Sequence, residues 1–206
     1  MSTLRTQADQ IRQTTATALT LATHIRSVDS LPRVYVAEMI TVRLYSLFEA
    51  IIEDSACRLI CGAKYCDGSS PLLQRPHPTQ GFERARDAMR TFERPNPAKE
   101  KFQLRWGRAR EIRKNLEYLF SPREHFIHTV VGHGQFISDL RKMRNHIAHG
   151  SVGTRQKFNE VVRNYYGANV NAITPGKMLL SSRFSPLLLE QFCRKTQIIL
   201  LAVIKG

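Results

Sequence analysis

Apolar residues recur at helical spacing along nearly the whole chain, and that periodicity leaves little room for a sheet. Leu4, Ile11, Ala18 and Ile25 follow one another every seven residues, with Ala8, Leu21 and Ala22 beside them. They form one stripe of a long amphipathic helix over residues 3–28. Asp29-Ser30 ends it, and Pro32 stands where a first helical turn tolerates proline. From Pro32 to Lys64 a second stripe runs through Val36, Ile40, Leu44, Leu47 and Ile51, widened by Phe48, Ile52 and Leu59. Such breadth belongs to a central, well-covered helix. Glu38, Glu49 and Glu53 share its narrow polar face.

Residues 66–80 read as a loop from their Pro, Gly and Ser content. A short helix is expected over Phe82–Phe92, broken by Pro95-Asn-Pro97, and a longer one over Ala98–Phe120. Ser121-Pro-Arg-Glu124 has the form of a capping box with proline at the first helical position. Gly132-His-Gly134 interrupts the helix that follows, and Gln135–His149 resumes it until Gly150 stops it. Arg155–Tyr166 reads as helix. Residues 168–180, with Thr174-Pro-Gly176, are the one stretch that suits a short β-hairpin. Ser185-Pro186 opens a last helix from Leu187 to Ile204, with Leu188, Phe192, Ile199 and Val203 as its apolar face. The expectation is one all-α domain over residues 1–206, an up-and-down helical bundle. It has an N-terminal helix over 1–30 and a mid-chain loop insertion over 66–80.

Lys and Arg number 31 against 17 Asp and Glu, a net charge of +14. That excess favours a polyanionic partner, by long-range attraction and counterion release. Nucleic acid comes first, although charge alone does not choose between RNA, DNA, an anionic membrane and an acidic protein. No stretch reaches the ~20 apolar residues that a bilayer span needs, and the N-terminus lacks a signal-peptide core. A soluble, cytoplasmic protein is expected. Cys57, Cys61, Cys66 and Cys193 fit no common zinc spacing, so they read as free thiols and no metal is expected.

The chemistry-bearing residues concentrate in Arg141-Lys-Met-Arg-Asn-His-Ile-Ala-His-Gly150. On a helix, Phe136, Leu140, Met143 and Ile147 fall within an arc of roughly 60° and form a core face. Arg144, Ala148, Arg141, Asn145 and His149 spread over roughly 140° on the other side. Histidine titrates near neutrality and moves protons. Arginine holds two phosphate oxygens and favours the extra negative charge of a phosphorane-like transition state. Asn145 can orient the imidazole or a phosphate oxygen. The missing nucleophile is one that RNA carries in its 2′-hydroxyl.

Arg144-Asn145-x-x-x-His149, followed by Gly150, resembles the Arg-x4–6-His signature of the HEPN superfamily, in which Asn after the Arg is common. Arg43-Leu-Tyr-Ser-Leu-Phe-Glu49 is similar to an early helix of HEPN branches that act as toxins or defence nucleases, among them the RiboL-PSP type. The resemblance covers roughly residues 35–205. It implies a metal-independent endoribonuclease that leaves a 2′,3′-cyclic phosphate. It also implies a homodimer with the two motifs facing across a cleft, and an antitoxin or defence-system partner. Carried over by position, Arg144 and His149 would be catalytic and Asn145 supporting, with no cofactor. The alternative is a non-catalytic HEPN module that binds RNA, nucleotide or a partner protein; a third reading is a helical scaffold whose basic surface meets an acidic partner.

Around this centre, Arg141 adds phosphate attraction, and His146 lies between the two helix faces in a structural or supporting place. Glu49 either orients Arg144 or is purely structural. Arg105, Trp106, Arg108, Arg110, Arg113 and Lys114 form a basic stretch with an aromatic, suited to RNA contact or simply a solvated helix face. His125, His128 and His133 surround a glycine-rich break, lining an RNA groove or standing as exposed loop histidines.

Overall fold

The computed structural model describes residues 3–27, 29–74, 81, 85–89, 104–170 and 172–206. Helices α1 (Arg5–His24), α2 (Ser30–Ile60), α3 (Ala109–Leu116), α4 (His125–Gly132), α5 (Gly134–His149), α6 (Val152–Tyr166), α7 (Pro175–Leu179) and α8 (Leu188–Lys205) carry it. Residues 85–89 are also helical. Among the described residues there is no strand, only isolated bridges between Thr3 and Lys64 and between Leu73 and Phe120. The all-α class read from the periodicity therefore holds.

The chain packs as two compact units of interleaved sequence. The first comprises Met1–Ile11, Phe48–Gly134 and Ile198–Gly206; the second comprises Arg12–Leu47 and Gln135–Gln197. Helices α1, α2 and α8 each lend one end to each unit.

In the first unit the N-terminal part of the heptad stripe (Leu4, Ala8, Ile11) is buried with Phe48, Ile51, Ile52 and Leu59 of α2 and with Ile199 and Val203 of α8. The Gln7 side-chain N–H donates to Asp54 at 2.6 Å across the packing, while its buried Oε1 has no hydrogen-bond partner among the described residues. The expected helix over 98–120 is shorter where it is described: residues 98–103 lie outside the described residues, 104–108 are not helical, and only α3 is regular. Trp106 is buried there, and Asn115 donates to the Arg105 carbonyl at 3.0 Å. A side chain thus takes the acceptor that a continuing helix would have used. Of the helix expected at 82–92, residues 82–84 and 90–92 lie outside the described residues, as do 75–80 of the expected loop.

Glu124 corrects another expectation. It does not close a capping box, and α4 begins after it with no side-chain cap. Its carboxylate is buried and instead accepts from the Tyr65 hydroxyl and, at 2.5 Å, from the Leu72 backbone N–H.

In the second unit Ala18, Ala22 and Ile25 continue the α1 stripe, and Ile40, Leu44 and Leu47 that of α2, all buried. Leu21 departs from the stripe and is exposed, and Val36 is half-buried. The stretch expected as a hairpin turns into α7 instead. Thr174 caps it, its hydroxyl accepting from the Lys177 N–H at 3.4 Å, and Pro175 takes the first helical turn. Gly176 lies so close to α2 that a Cβ there would stand 2.6 Å from both the Val34 carbonyl oxygen and its side chain. Its N–H donates to Glu38 at 3.0 Å, which gives one of the glutamates on the α2 polar face its partner.

Candidate active site on the motif helix

Helix α5 starts after the His133 break and ends at His149, as its spacing suggests. Gly150 follows at φ +59°, a conformation that glycine adopts without strain, and donates its N–H to the His146 carbonyl at 2.9 Å. Ser151 then caps α6, accepting from the Thr154 N–H at 3.3 Å. The motif thus ends on a tight reversal between two antiparallel helices.

That pair is joined by polar rungs. Near the start of α5, the buried Asp139 carboxylate accepts from Gln135 at 3.0 Å and from Asn164 of α6 at 3.3 Å. Burial holds its pKa above the ordinary carboxylate range, against the lowering pull of Gln135. One turn on, Lys142 pairs with Glu160 at 2.8 Å. Near the end, His146 Nδ1 lies 3.2 Å from the Thr154 hydroxyl and its ring stacks on Phe158, centroids 5.1 Å apart. Burial, and then the nearby Arg155 charge, lower the His146 pKa. His146 accordingly packs the helix in place, and its ring is turned to α6.

The core face is wider than the sequence periodicity implied. Phe136, Ile137, Asp139, Leu140 and Met143 are buried, whereas Ile147 is only half-buried. Ile137 lies on the same side of the helix as Arg144, so the polar face opens only over the last turns. Arg141, Arg144 and Asn145 are half-buried there, and His149 is exposed.

Arg144 is the most constrained of these. Its guanidinium carbon lies 5.4 Å from the centroid of the Tyr45 ring, and its Nη1 donates to the Asn145 side-chain oxygen at 3.1 Å. Its Nε is buried without a hydrogen-bond partner, and among the described residues no carboxylate pairs with it. A permanent cation is therefore fixed by an aromatic face and a neutral amide, with its charge left uncompensated. The Asn145 side-chain oxygen thereby holds one end of the Arg144 guanidinium. Five helical positions separate Arg144 from His149, about 140° around the axis and ~7.5 Å along it. One chain thus presents one fixed guanidinium and one open imidazole.

The remaining expected residues lie in the first unit. Glu49 is half-buried on α2. Arg105, Arg108, Arg113 and Lys114 are exposed, and Glu111 lies 3.3 Å from Arg108 and 3.9 Å from Arg105. Trp106 does not join them as a stacking surface: it is 5% exposed, so its ring has no open face. Among the described residues no three His, Cys, Asp or Glu side chains group as a metal site, and burial pushes the Cys57 and Cys193 thiols up to about 12. Sequence reasoning missed Tyr45, Asp139 and Asn164; only Tyr45, inside the Arg43–Glu49 segment, carried any signal. No protein-family model matches the chain, and no curated protein or solved structure matches it.

Proposed function

We propose that the chain is a metal-independent endoribonuclease whose active site is built from Arg144 and His149. The observation that carries this reading is the state of Arg144: a partly buried guanidinium, oriented by Tyr45 and Asn145 and, among the described residues, paired with no carboxylate, five positions before an exposed imidazole. A fixed positive charge without an internal counterion is suited to an anion that arrives from outside. The net charge of +14 supplies the long-range attraction for one.

In the proposed reaction a 2′-hydroxyl attacks the adjacent phosphorus. His149 takes the hydroxyl proton, Arg144 stabilises the charge on the non-bridging oxygens, and the bond from phosphorus to the 5′ oxygen breaks. The products are a 2′,3′-cyclic phosphate and a 5′-hydroxyl, which needs a proton. The other imidazole of this helix end, His146, is turned to Thr154 and Phe158 of α6, so the acid is assigned to His149 of the partner subunit in a homodimer. Each chain then supplies half a site. A role as a toxin or antiphage effector, restrained by an antitoxin or defence-system partner, belongs to the same proposal and rests on the HEPN resemblance alone.

The test is incubation of end-labelled RNA in EDTA with wild type, Arg144→Ala and His149→Ala. Cleavage that survives EDTA, vanishes in both variants and leaves cyclic-phosphate ends supports the reading. Intact RNA after incubation with folded, dimeric wild type would sink it. One observation favours a second reading, a binding module without catalysis: the Arg144 side chain lies against Tyr45 instead of extending into solvent. That reading predicts salt-steep RNA binding that His149→Ala leaves unchanged.

A further inference from the structure

The first unit contains a groove of about 450 Å³ where two sequence features meet. Arg113, from the last turn of α3, and His128, from α4, line it together with Tyr118 of the connecting turn. Pro122, Ile127 and Val131 give it an apolar floor and wall, and Ile127, His128 and Val131 share one face of α4. Tyr118 is 44% exposed, whereas Trp106 of the basic stretch is enclosed. Arg110, Arg113, Lys114 and Arg123 are exposed around the same turn. His125, by contrast, bonds the Ala202 carbonyl at 2.7 Å and takes no part in the lining.

A slot with an apolar wall, a part-exposed aromatic ring and a rim of cations has the features that bind single-stranded nucleic acid. The base stacks on the ring, and the backbone follows the charges. A duplex is a poorer fit, because its bases are already stacked. We propose that this groove binds one unpaired base of single-stranded RNA, stacked on Tyr118 beside His128, with Arg113 on the adjoining phosphate. Glu117 also lines the groove. It is suited to accept from the amino edge of a base, as in cytosine, which uracil lacks. The proposal rests on the reading that RNA is the chain's partner, and it places a docking point within the first unit.

The test uses the full wild-type chain and a fluorescent 2′-O-methyl oligocytidine, which has no free 2′-hydroxyl and stays uncut. Fluorescence anisotropy should show Tyr118→Ala raising Kd about tenfold, the loss of one stacked base. Tyr118→Phe should bind as wild type, and Arg113→Ala should weaken binding and flatten its salt dependence by about one phosphate. An oligouridine of equal length should bind more weakly, and Glu117→Ala should erase that difference. Equal binding by Tyr118→Ala, verified as folded by its helical circular dichroism and thermal midpoint, overturns the proposal. So does equal affinity for a duplex of the same length, which would reduce the groove to a charge patch. The readout is separable from the nuclease reading. Tyr118-dependent binding without any cleavage keeps the groove and rejects the nuclease, and cleavage without Tyr118-dependent binding does the reverse.

Discussion

The guanidinium of Arg144 rests on the ring of Tyr45, 5.4 Å from its centroid, while its buried Nε has no acceptor. Among the described residues, its orientation therefore depends on the ring and on Asn145, with no ion pair holding it. Arg144→Lys keeps the charge but loses the planar fork, and cleavage should fall about a hundredfold. Tyr45→Leu keeps Arg144 but removes its platform. It should cost about 2 kcal/mol of stability and slow cleavage about tenfold, the rate equivalent of ~1.4 kcal/mol. Urea midpoints and single-turnover rates check both. Full activity in Tyr45→Leu would mean that the ring packs the arginine without positioning it.

His146 makes a pH prediction with a definite sign. Its folded pKa lies below the ordinary value of 6.5, chiefly through burial and secondarily through Arg155. Thr154 and Phe158 face it from α6. The unfolded chain binds the proton more readily than the folded one, so stability is full above the unfolded pKa and declines as pH falls through the folded pKa. His146→Gln should remove that part of the acid-side decline while keeping a hydrogen-bonding group near Thr154. Urea midpoints measured from roughly pH 5 to pH 7.5 bracket the window. An unchanged slope in the variant would assign the decline to other groups.

Much of this was legible in the sequence because it is local. The stripe Leu4, Ile11, Ala18 and Ile25 is buried throughout, and α5 begins and ends where Gly134 and Gly150 place it. Adjacent residues on one helix decide such features. Glu124 shows why other features stayed hidden. Its spacing from Ser121 fits a cap, but its partners are Tyr65, 59 positions away, and Leu72. A buried carboxylate takes the strongest donors the fold brings to it, and linear spacing does not reveal them. Trp106 failed as a surface aromatic for a related reason: its large apolar ring is worth more buried than exposed. In the candidate site Arg144 and His149 were legible as a motif. Tyr45 and the rungs of Asp139 and His146 to α6 were not, since they depend on which helices become neighbours.

Gly176 tests the correction made at residues 168–180. A hairpin turn would tolerate alanine at many positions, whereas a helix start pressed on α2 does not. A Cβ at Gly176 would meet the Val34 carbonyl oxygen at 2.6 Å, and backbone cannot swing aside as a side chain can. Gly176→Ala should cost about 2 kcal/mol, read as a lower urea midpoint with an unchanged slope. Pro175→Ala should cost much less, because its place in the first turn asks only for a helical φ. Equal, small effects at both positions would argue that α7 does not pack against α2 in solution.

Glu124 and Tyr65 form the buried pair whose energetics can be isolated most cleanly. Glu124 is 1% exposed and Tyr65 2%. Burial, and then the bond to Glu124, push the Tyr65 hydroxyl pKa far up, so it stays a donor at any ordinary pH. Glu124→Ala strands that hydroxyl and the Leu72 N–H together and should cost about 3 kcal/mol. Tyr65→Phe strands neither backbone group and leaves the carboxylate bonded to Leu72, so about 1 kcal/mol is expected. The double variant should be more stable than the sum predicts, with a coupling of 0.5 kcal/mol or more, roughly the lower end for directly bonded pairs. Additive losses would mean that the two side chains are stabilised independently, and that Glu124 serves mainly to anchor the backbone at Leu72.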